Sequence, residues 1–390
     1  MNLKLLYLGI NRSYVNPTFD NLLISLSQNN VLYRYGPGFV TDSELEKGID
    51  FWLDKHEEFD FVLTDSMILE CDDLIKNPYL FENEAIFFKK STYKTYAPKI
   101  KEYFLSLKKN KIFIANWDYY ERQPRHVDLL IKDEFVYVIS HVDKNTSYNV
   151  EKINKLGNLM IPDVLSEYPQ RSNVWHNFIS DYAFKIISMP NTVNERNFVF
   201  TPVEGRKYRF CVPGFPYRER QTARKLYNLR ERFFHEWAEL KFLFEKISRK
   251  LFIPRPKNWS QIQTNRLFSR LSNSKMVFTS GAVTRTPIAK YFEIPASGSV
   301  LICQKFAGFE HLGFQNGVNC LVAEDLQTLN KILANYDVNR YQQLADNGRS
   351  FIWDKHTIHS RTVQLELCLT SIKSGNFNGS HWDQGEFIIL

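Results

Sequence analysis

The groups best suited to chemistry are concentrated in one segment, Lys290 to Asp325, which reads KYFEIPASGSVLICQKFAGFEHLGFQNGVNCLVAED. A helix carrying Glu293 should stop near Pro295, followed by the small-residue turn Ala296-Ser297-Gly298 and a buried strand, SVLIC. Ser297 and Gly298 are small enough for backbone to approach a ligand closely. A carboxylate at such a helix end can accept hydrogen bonds from a ribose diol. The same pattern is also compatible with Glu293 as a surface residue and an ordinary turn. Lys290 precedes Glu293 by one helical turn and is a candidate cation for a diphosphate. A second segment, VPGFPYRER (Val212 to Arg220), follows another short apolar run. Gly214 would let backbone amides meet a phosphate there, and Arg218, near a helix N-terminus, would supply charge. Turn chemistry alone explains Gly and Pro equally well.

Chemistry on a ligand held there would also need a general base. Asp118 in NWDYY, His141 in SHVD, Asp65 in LTDS and His126 are the candidates in the first half, with Asp118 and His141 favoured. All but His126 should sit just beyond strand C-termini, where open α/β sheets place their ligands. Trp117, Tyr119 and Tyr120 would give such a pocket an aromatic face, or belong to the core. No Asp-x-Asp pair stands in a metal-holding context, and Asp72-Asp73 lacks the required strand end. The five cysteines (71, 211, 303, 320 and 368) show no paired spacing, which gives neither a zinc site nor a disulfide framework. A metal-independent reaction without a cofactor is therefore expected, with helix dipoles and basic side chains offsetting the leaving-group charge.

These residues need elements to hold them. Short apolar runs alternate with longer helical patterns, the signature of parallel sheets flanked by helices. In the first half the spacing predicts strands over 3–8, 31–35, 59–64, 111–116, 135–140 and 158–161, with helices over 18–27, 42–55 and 96–109. A second series predicts strands from Tyr208 and over 275–279, 299–303 and 319–322. Its helices are expected over 217–249, 260–272, 286–294, 326–336, 339–352 and 357–369. The stretch from Met189 to Arg206 lacks periodicity and reads as a connection. The expected organisation is a first domain over 1–200, a second over 201–370, and a tail over 371–390 that either packs back on the fold or frays.

Composition agrees with two cores. Of 390 residues, 44% are hydrophobic, and 31 Phe and 20 Tyr supply ample apolar volume, which excludes extensive disorder. The N-terminal MNLKLLYLGI is too short for an export signal, and no run approaches the ~20 apolar residues of a membrane span. A cytoplasmic location is the expectation. The net charge of +7 suits a phosphorylated ligand, an anionic membrane surface or nucleic acid. The expected helix over 217–250 is rich in Lys and Arg and could serve as a membrane or nucleic-acid surface, or simply as a solvated face.

The Lys290–Asp325 segment resembles the C-terminal half of retaining-type GT-B glycosyltransferases, and most closely the CgeB-like branch, where a Phe-Glu pair precedes a small-residue turn and a hydrophobic strand. Tyr35 to Phe39 (YGPGF) and Val212 to Arg220 resemble glycine turns of that branch. In the broader superfamily two glutamates flank the donor and the second contacts its ribose; Glu293 matches the second. Arg285 stands where the first would be, a departure that leaves a cation able to face a diphosphate. The resemblance implies a GT-B fold: α/β, with two Rossmann-like domains facing each other across a cleft. It implies a glycosyltransferase (hexosyl or related) with a nucleoside diphosphate sugar as partner, held by Gly214, Arg218, Arg285, Lys290, Glu293, Ser297 and Gly298. The acceptor is left open among glycan, protein, lipid-linked sugar and modified DNA. Two alternatives stand beside this expectation, a DNA-modifying glycosyltransferase and an inactive GT-B-like binding module.

Overall fold

The computed structural model describes residues 2–11, 17–55, 58–69, 71–76, 90–108, 111–115, 129–132, 186–214, 218–234, 259–280, 287–306 and 308–390. Two parallel sheets organise them. The first contains β1 (Lys4–Leu8), β2 (Val31–Tyr35), β3 (Phe61–Asp65), β4 (Lys111–Ala115), β5 (Leu129–Lys132) and β6 (Ile186–Ser188), in the order β2-β1-β3-β4-β5-β6. The second contains β7 (Tyr208–Cys211), β8 (Ser274–Thr279), β9 (Val300–Cys303) and β10 (Leu321–Val322), in the order β10-β9-β8-β7. Every pairing in both sheets is parallel. This is the expected α/β class, built from two Rossmann-like units.

The sequence dictates the central strands directly. β3 and β9 are buried at every position, because helices cover both faces of a parallel sheet and leave no solvent side for alternation. Full burial of a side chain such as Leu301 or Ile302 stabilises the fold by about 1.5–3 kcal/mol. In the first sheet β1 lies between β2 and β3, with Leu5 facing Leu32 on one side and Phe61 on the other. The strand order reverses at β1, so the loops after β1 and β3 flank the switch point where such sheets bind ligands.

Helices start where a side chain can satisfy an orphan amide. Asp325, Asp337 and Thr357 cap the helices Leu326–Ala334, Val338–Lys355 and Ile358–Lys373, accepting from the amides of Thr328, Arg340 and Ser360. The expected helix over 42–55 is instead two helices, Asp42–Lys47 and Ile49–Leu53, because Gly48 at φ 89° interrupts the regular backbone. The expected helix over 217–249 is also corrected within its described part. Helix Arg218–Ala223 tightens into a 3-10 turn, Arg224–Leu226, and ends at Tyr227, whose ψ of 136° is extended. The Tyr227 hydroxyl accepts from the Val212 amide at 2.7 Å, which ties the break to the end of β7. The expected strands over 135–140 and 158–161 lie outside the described residues.

Met189 to Arg206 is irregular but not loose, since Met189, Val193, Phe198 and Val203 are all buried. The last helix, Ile358–Lys373, returns to the first sheet and lies against helix Pro17–Ser27, where Leu365, Cys368 and Leu369 join the core of Leu3, Leu5 and Leu63. The tail is ordered. Strands β11 (Ser380–Asp383) and β12 (Glu386–Ile389) form an antiparallel hairpin that buries Trp382.

Candidate functional site

The site begins at the end of β7. After Cys211 the chain turns through Val212-Pro213-Gly214, and Gly214 adopts φ 97°, a left-handed conformation that only glycine takes at little cost. Gly214 is exposed, yet a Cβ placed on it would lie 2.8 Å from Lys290 Cε and 3.2 Å from Arg220 Nη1. Two cations from separate helices thus converge over one glycine turn. Arg224 closes the turn from below, donating to the Val212 carbonyl at 3.2 Å and the Gly214 carbonyl at 2.6 Å.

Arg220 is 2% exposed and is aimed by β8, donating through Nη2 to the Ser280 carbonyl at 2.7 Å and more weakly to Thr279 Oγ1 at 3.4 Å. The buried Ser280 hydroxyl has no hydrogen-bond partner among the described residues. Lys290 opens helix Lys290–Ala296, whose approach is fixed by Asn191 donating to the Pro287 carbonyl at 2.8 Å. Glu293 follows one turn later. Both side chains are partly exposed and have protein packed closely around them. Neither makes a hydrogen bond to another described residue.

The electrostatics follow from this placement. Burial pushes the Lys290 ammonium below its ordinary value; attraction to Glu293 opposes that shift, and repulsion from Arg220 and Arg270 adds to it. Burial pushes the Glu293 carboxyl up, with Lys290 opposing. An anion over Gly214 would relieve the crowding of cations, and a hydroxyl donor beside Glu293 would offset its desolvation. The arrangement can therefore hold a polyanion joined to a diol.

A family model described as glycosyl transferase-like matches residues 220–366, a range that runs from Arg220 through Lys290 and Glu293. The match supports a glycosyltransferase, and the two parallel sheets fit the GT-B class. No curated protein matches the chain by sequence. Among solved structures, the chain is similar to Anabaena Alr3699/HepE in complex with UDP, at 11% identity over 95% of this chain and 100% of that one, with a TM-score of 0.43. Sucrose-phosphate synthase from Thermosynechococcus elongatus is similar at 9% identity, 95% and 100% coverage and a TM-score of 0.46. A glycosyltransferase from Rickettsia africae ESF-5 is similar at 9% identity, 95% and 98% coverage and a TM-score of 0.45.

Of the donor-side residues singled out by sequence, Gly214, Lys290 and Glu293 come together. Ser297 and Gly298 meet a different partner. The Ser297 hydroxyl is buried, donates to the Ile294 carbonyl at 2.6 Å and lies 3.0 Å from Ser299 Oγ. Gly298, at φ 75°, ends the helix in a Schellman motif, with its amide on Pro295 and that of Ser299 on Ile294. A Cβ on Gly298 would lie 2.8 Å from Arg206 Nη2. Arg206, which the sequence did not mark, is buried and donates to the carbonyls of Thr201, Leu271, Ser274 and Ser297 and to Ser299 Oγ. Burial lowers its pKa to about 10.

Arg218 starts its helix, but its side chain, like Arg285, Asp118, His126, His141, Trp117, Tyr119 and Tyr120, lies outside the described residues. Asp65 is described and ends β3, as expected. It is fully buried, accepting from the Tyr7 hydroxyl at 2.8 Å and from the Met67 amide at 2.9 Å, so it starts the helix Ser66–Leu69. The Gly36 turn of YGPGF also has a packing cause, since a Cβ there would come within 2.0 Å of the Gly9 carbonyl oxygen. Among the described residues no group of three or more His, Cys, Asp or Glu is placed to hold a metal ion, and no helix is long and apolar enough to cross a membrane. Arg220 and Ser280 were missed by sequence reasoning. Arg220 lay within the quoted VPGFPYRER run, and its direction toward β8 is a tertiary property.

Proposed function

We propose that the protein is a glycosyltransferase whose second unit, within residues 201–370, binds a nucleoside diphosphate sugar. Lys290 and Arg220 face the diphosphate over Gly214, and Glu293 accepts hydrogen bonds from the ribose. The supporting observation is the convergence of two cations from separate helices on one exposed left-handed glycine, with a carboxylate one turn further on. As the bond from sugar to diphosphate breaks, negative charge grows on the departing oxygens. Preorganised, partly desolvated cations stabilise that charge more strongly than water would. The acceptor belongs to the first unit, within residues 1–200, with Asp118 and His141 as candidate bases.

Calorimetric titration with nucleoside diphosphates, their sugars and free nucleosides tests the reading. A nucleoside diphosphate should bind and should raise the melting temperature by mass action. Absence of binding by any nucleoside diphosphate, with the protein folded, would refute the proposal. Release of free sugar or transfer to an added acceptor would then separate an active transferase from an idle binding module.

A further inference from the structure

Three stretches distant in sequence meet around a cleft of about 380 Å³: the loop that enters β10, the helix Val338–Lys355 and the turn between β11 and β12. Glycines set how closely they approach. A Cβ on Gly313 would lie 2.8 Å from Gly385 Cα and 2.7 Å from Phe351 Cε2, and the Gly385 amide donates to the His311 carbonyl at 2.9 Å. Buried Asn319 folds the loop on itself, accepting from the Gln315 amide and donating to the Gly313 carbonyl, each at 2.8 Å. No residue lining the cleft belongs to the Gly214 turn or to helix Lys290–Ala296.

The lining is rich in hydrogen-bonding groups and poor in charge. Gln315, Asn347 and Gln384 bring three exposed carboxamides and Ser350 a hydroxyl, beside the half-buried Phe351. Asn347 donates to the Val318 carbonyl at 3.0 Å, while the side chains of Gln315, Ser350 and Gln384 make no hydrogen bond to another described residue. Lys355, the one charged residue of the lining among those described, is paired with Glu386 at 2.6 Å and Asp354 at 3.2 Å. Gln384 adds a backbone observation. Asp383 pairs with Glu386, so Gln384 and Gly385 form a two-residue hairpin turn, with φ of 49° and 87°. Both central residues are left-handed, as in a type I′ turn, where Asn, Asp or Gly is the least strained choice at the first position. A longer carboxamide is kept there at a conformational cost, which a ligand-binding role would explain.

We propose that this cleft binds a neutral saccharide. Sugar hydroxyls both donate and accept, as carboxamides do, and three carboxamides on three separate segments can meet hydroxyls at different points of a ring, whose C–H face suits an aromatic side chain. A phosphate or carboxylate would call for a cation, and the lysine present is already paired. A lipid chain would call for more apolar lining than Phe351 and Val318 supply. The volume falls within the range of small-molecule sites, on the order of 300–1,000 Å³. The inference stands apart from the sugar-transfer reading, because no residue assigned to the nucleoside diphosphate sugar takes part.

Saturation-transfer difference NMR and titration on the full chain test it, with maltotriose, cellotriose and tri-N-acetylchitotriose as probes. At least one probe should receive saturation from the protein. The double variant Gln315→Ala/Gln384→Gly should weaken that binding roughly tenfold or more, because two carboxamides are lost. It should keep or raise the melting temperature, since glycine accepts the left-handed backbone at position 384 and neither side chain bonds another described residue. Glu293→Gln should leave the binding of the probe unchanged. No saturation of any of the three probes would overturn the proposal. So would binding that the double variant leaves intact, which would put the sugar elsewhere, or displacement of the probe by equimolar inorganic phosphate, which would make the cleft selective for charge.

Discussion

The two ends of the second sheet both bury arginine, and they treat it in opposite ways. At the N-terminal end, beside the starts of β8 and β9, Arg206 donates to five acceptors, four carbonyls and one hydroxyl. At the C-terminal end, Arg220 shares the space over Gly214 with Lys290, and the buried Ser280 hydroxyl finds no hydrogen-bond partner among the described residues. Burial is common to both ends. Satisfaction is not, and a buried polar group left without a partner calls for an explanation, of which a bound water or ligand is one. One end satisfies its arginine within the fold, and the other leaves the buried Ser280 hydroxyl without a partner among the described residues.

The largest expected effect tests the saturated end. Arg206→Met strands several buried carbonyls and should lower stability by about 3–5 kcal/mol in urea unfolding; a loss below about 1 kcal/mol would erase the contrast. Next comes Glu293→Gln, which should weaken nucleoside diphosphate binding about 10- to 100-fold by calorimetry while leaving the unfolding midpoint unchanged or higher. Equal affinity would remove Glu293 from the site. Lys290→Met should weaken nucleoside diphosphate roughly tenfold and free nucleoside hardly at all, because the cation meets phosphate; equal losses for both would contradict that placement. Gly214→Ala should cost about 1–2 kcal/mol of stability through the left-handed backbone, with a smaller loss of affinity as Lys290 moves aside.

The smallest effect is the pH response, whose sign follows from the two shifts. Because Lys290 is lowered from 10.5, the empty site releases its proton early; a diphosphate favours the charged form, so affinity should fall as pH rises through the lowered value. Because Glu293 is raised from 4.5, affinity should fall again as pH drops through that raised value and the carboxylate is lost. Stability runs the other way for the lysine. Its burial penalty is relieved as pH rises between the lowered value and 10.5, so the empty protein should gain stability there. Titrations at several pH values, compared with Lys290→Met, would isolate the lysine's part.

Much of this was legible before folding. The strands over 275–279 and 299–303 announce themselves as apolar runs, because a strand buried on both faces has little polar side to show. The turn at Gly214 and the placing of Lys290 and Glu293 on one helix were legible, because glycine turns and helix-end charges carry a local signature. Arg206 and Arg361 were not, since the burial of each is decided by distant chain. Arg361 illustrates the point: it bonds Thr192 Oγ1 at 2.9 Å, lies over Trp382, and is lowered to about 9 by burial, though 169 residues separate it from its threonine partner. The breaks at Gly48 and Tyr227 escaped for a related reason. Helical periodicity continues through them, and the interruption comes from a single backbone angle or a hydroxyl bound to a neighbouring strand.

Helix Ile358–Lys373 follows the second sheet in sequence, yet Thr362 donates to the Ser25 carbonyl, Glu366 accepts from Asn29, and Leu365 and Leu369 fill the first sheet's core. The two halves are consequently interdependent in their thermodynamics. Loss of the last helix would strip apolar cover from Leu3 and Leu5, so heating should melt both halves in one cooperative transition, and a fragment ending before residue 358 should behave as a partly collapsed chain rather than a smaller native protein.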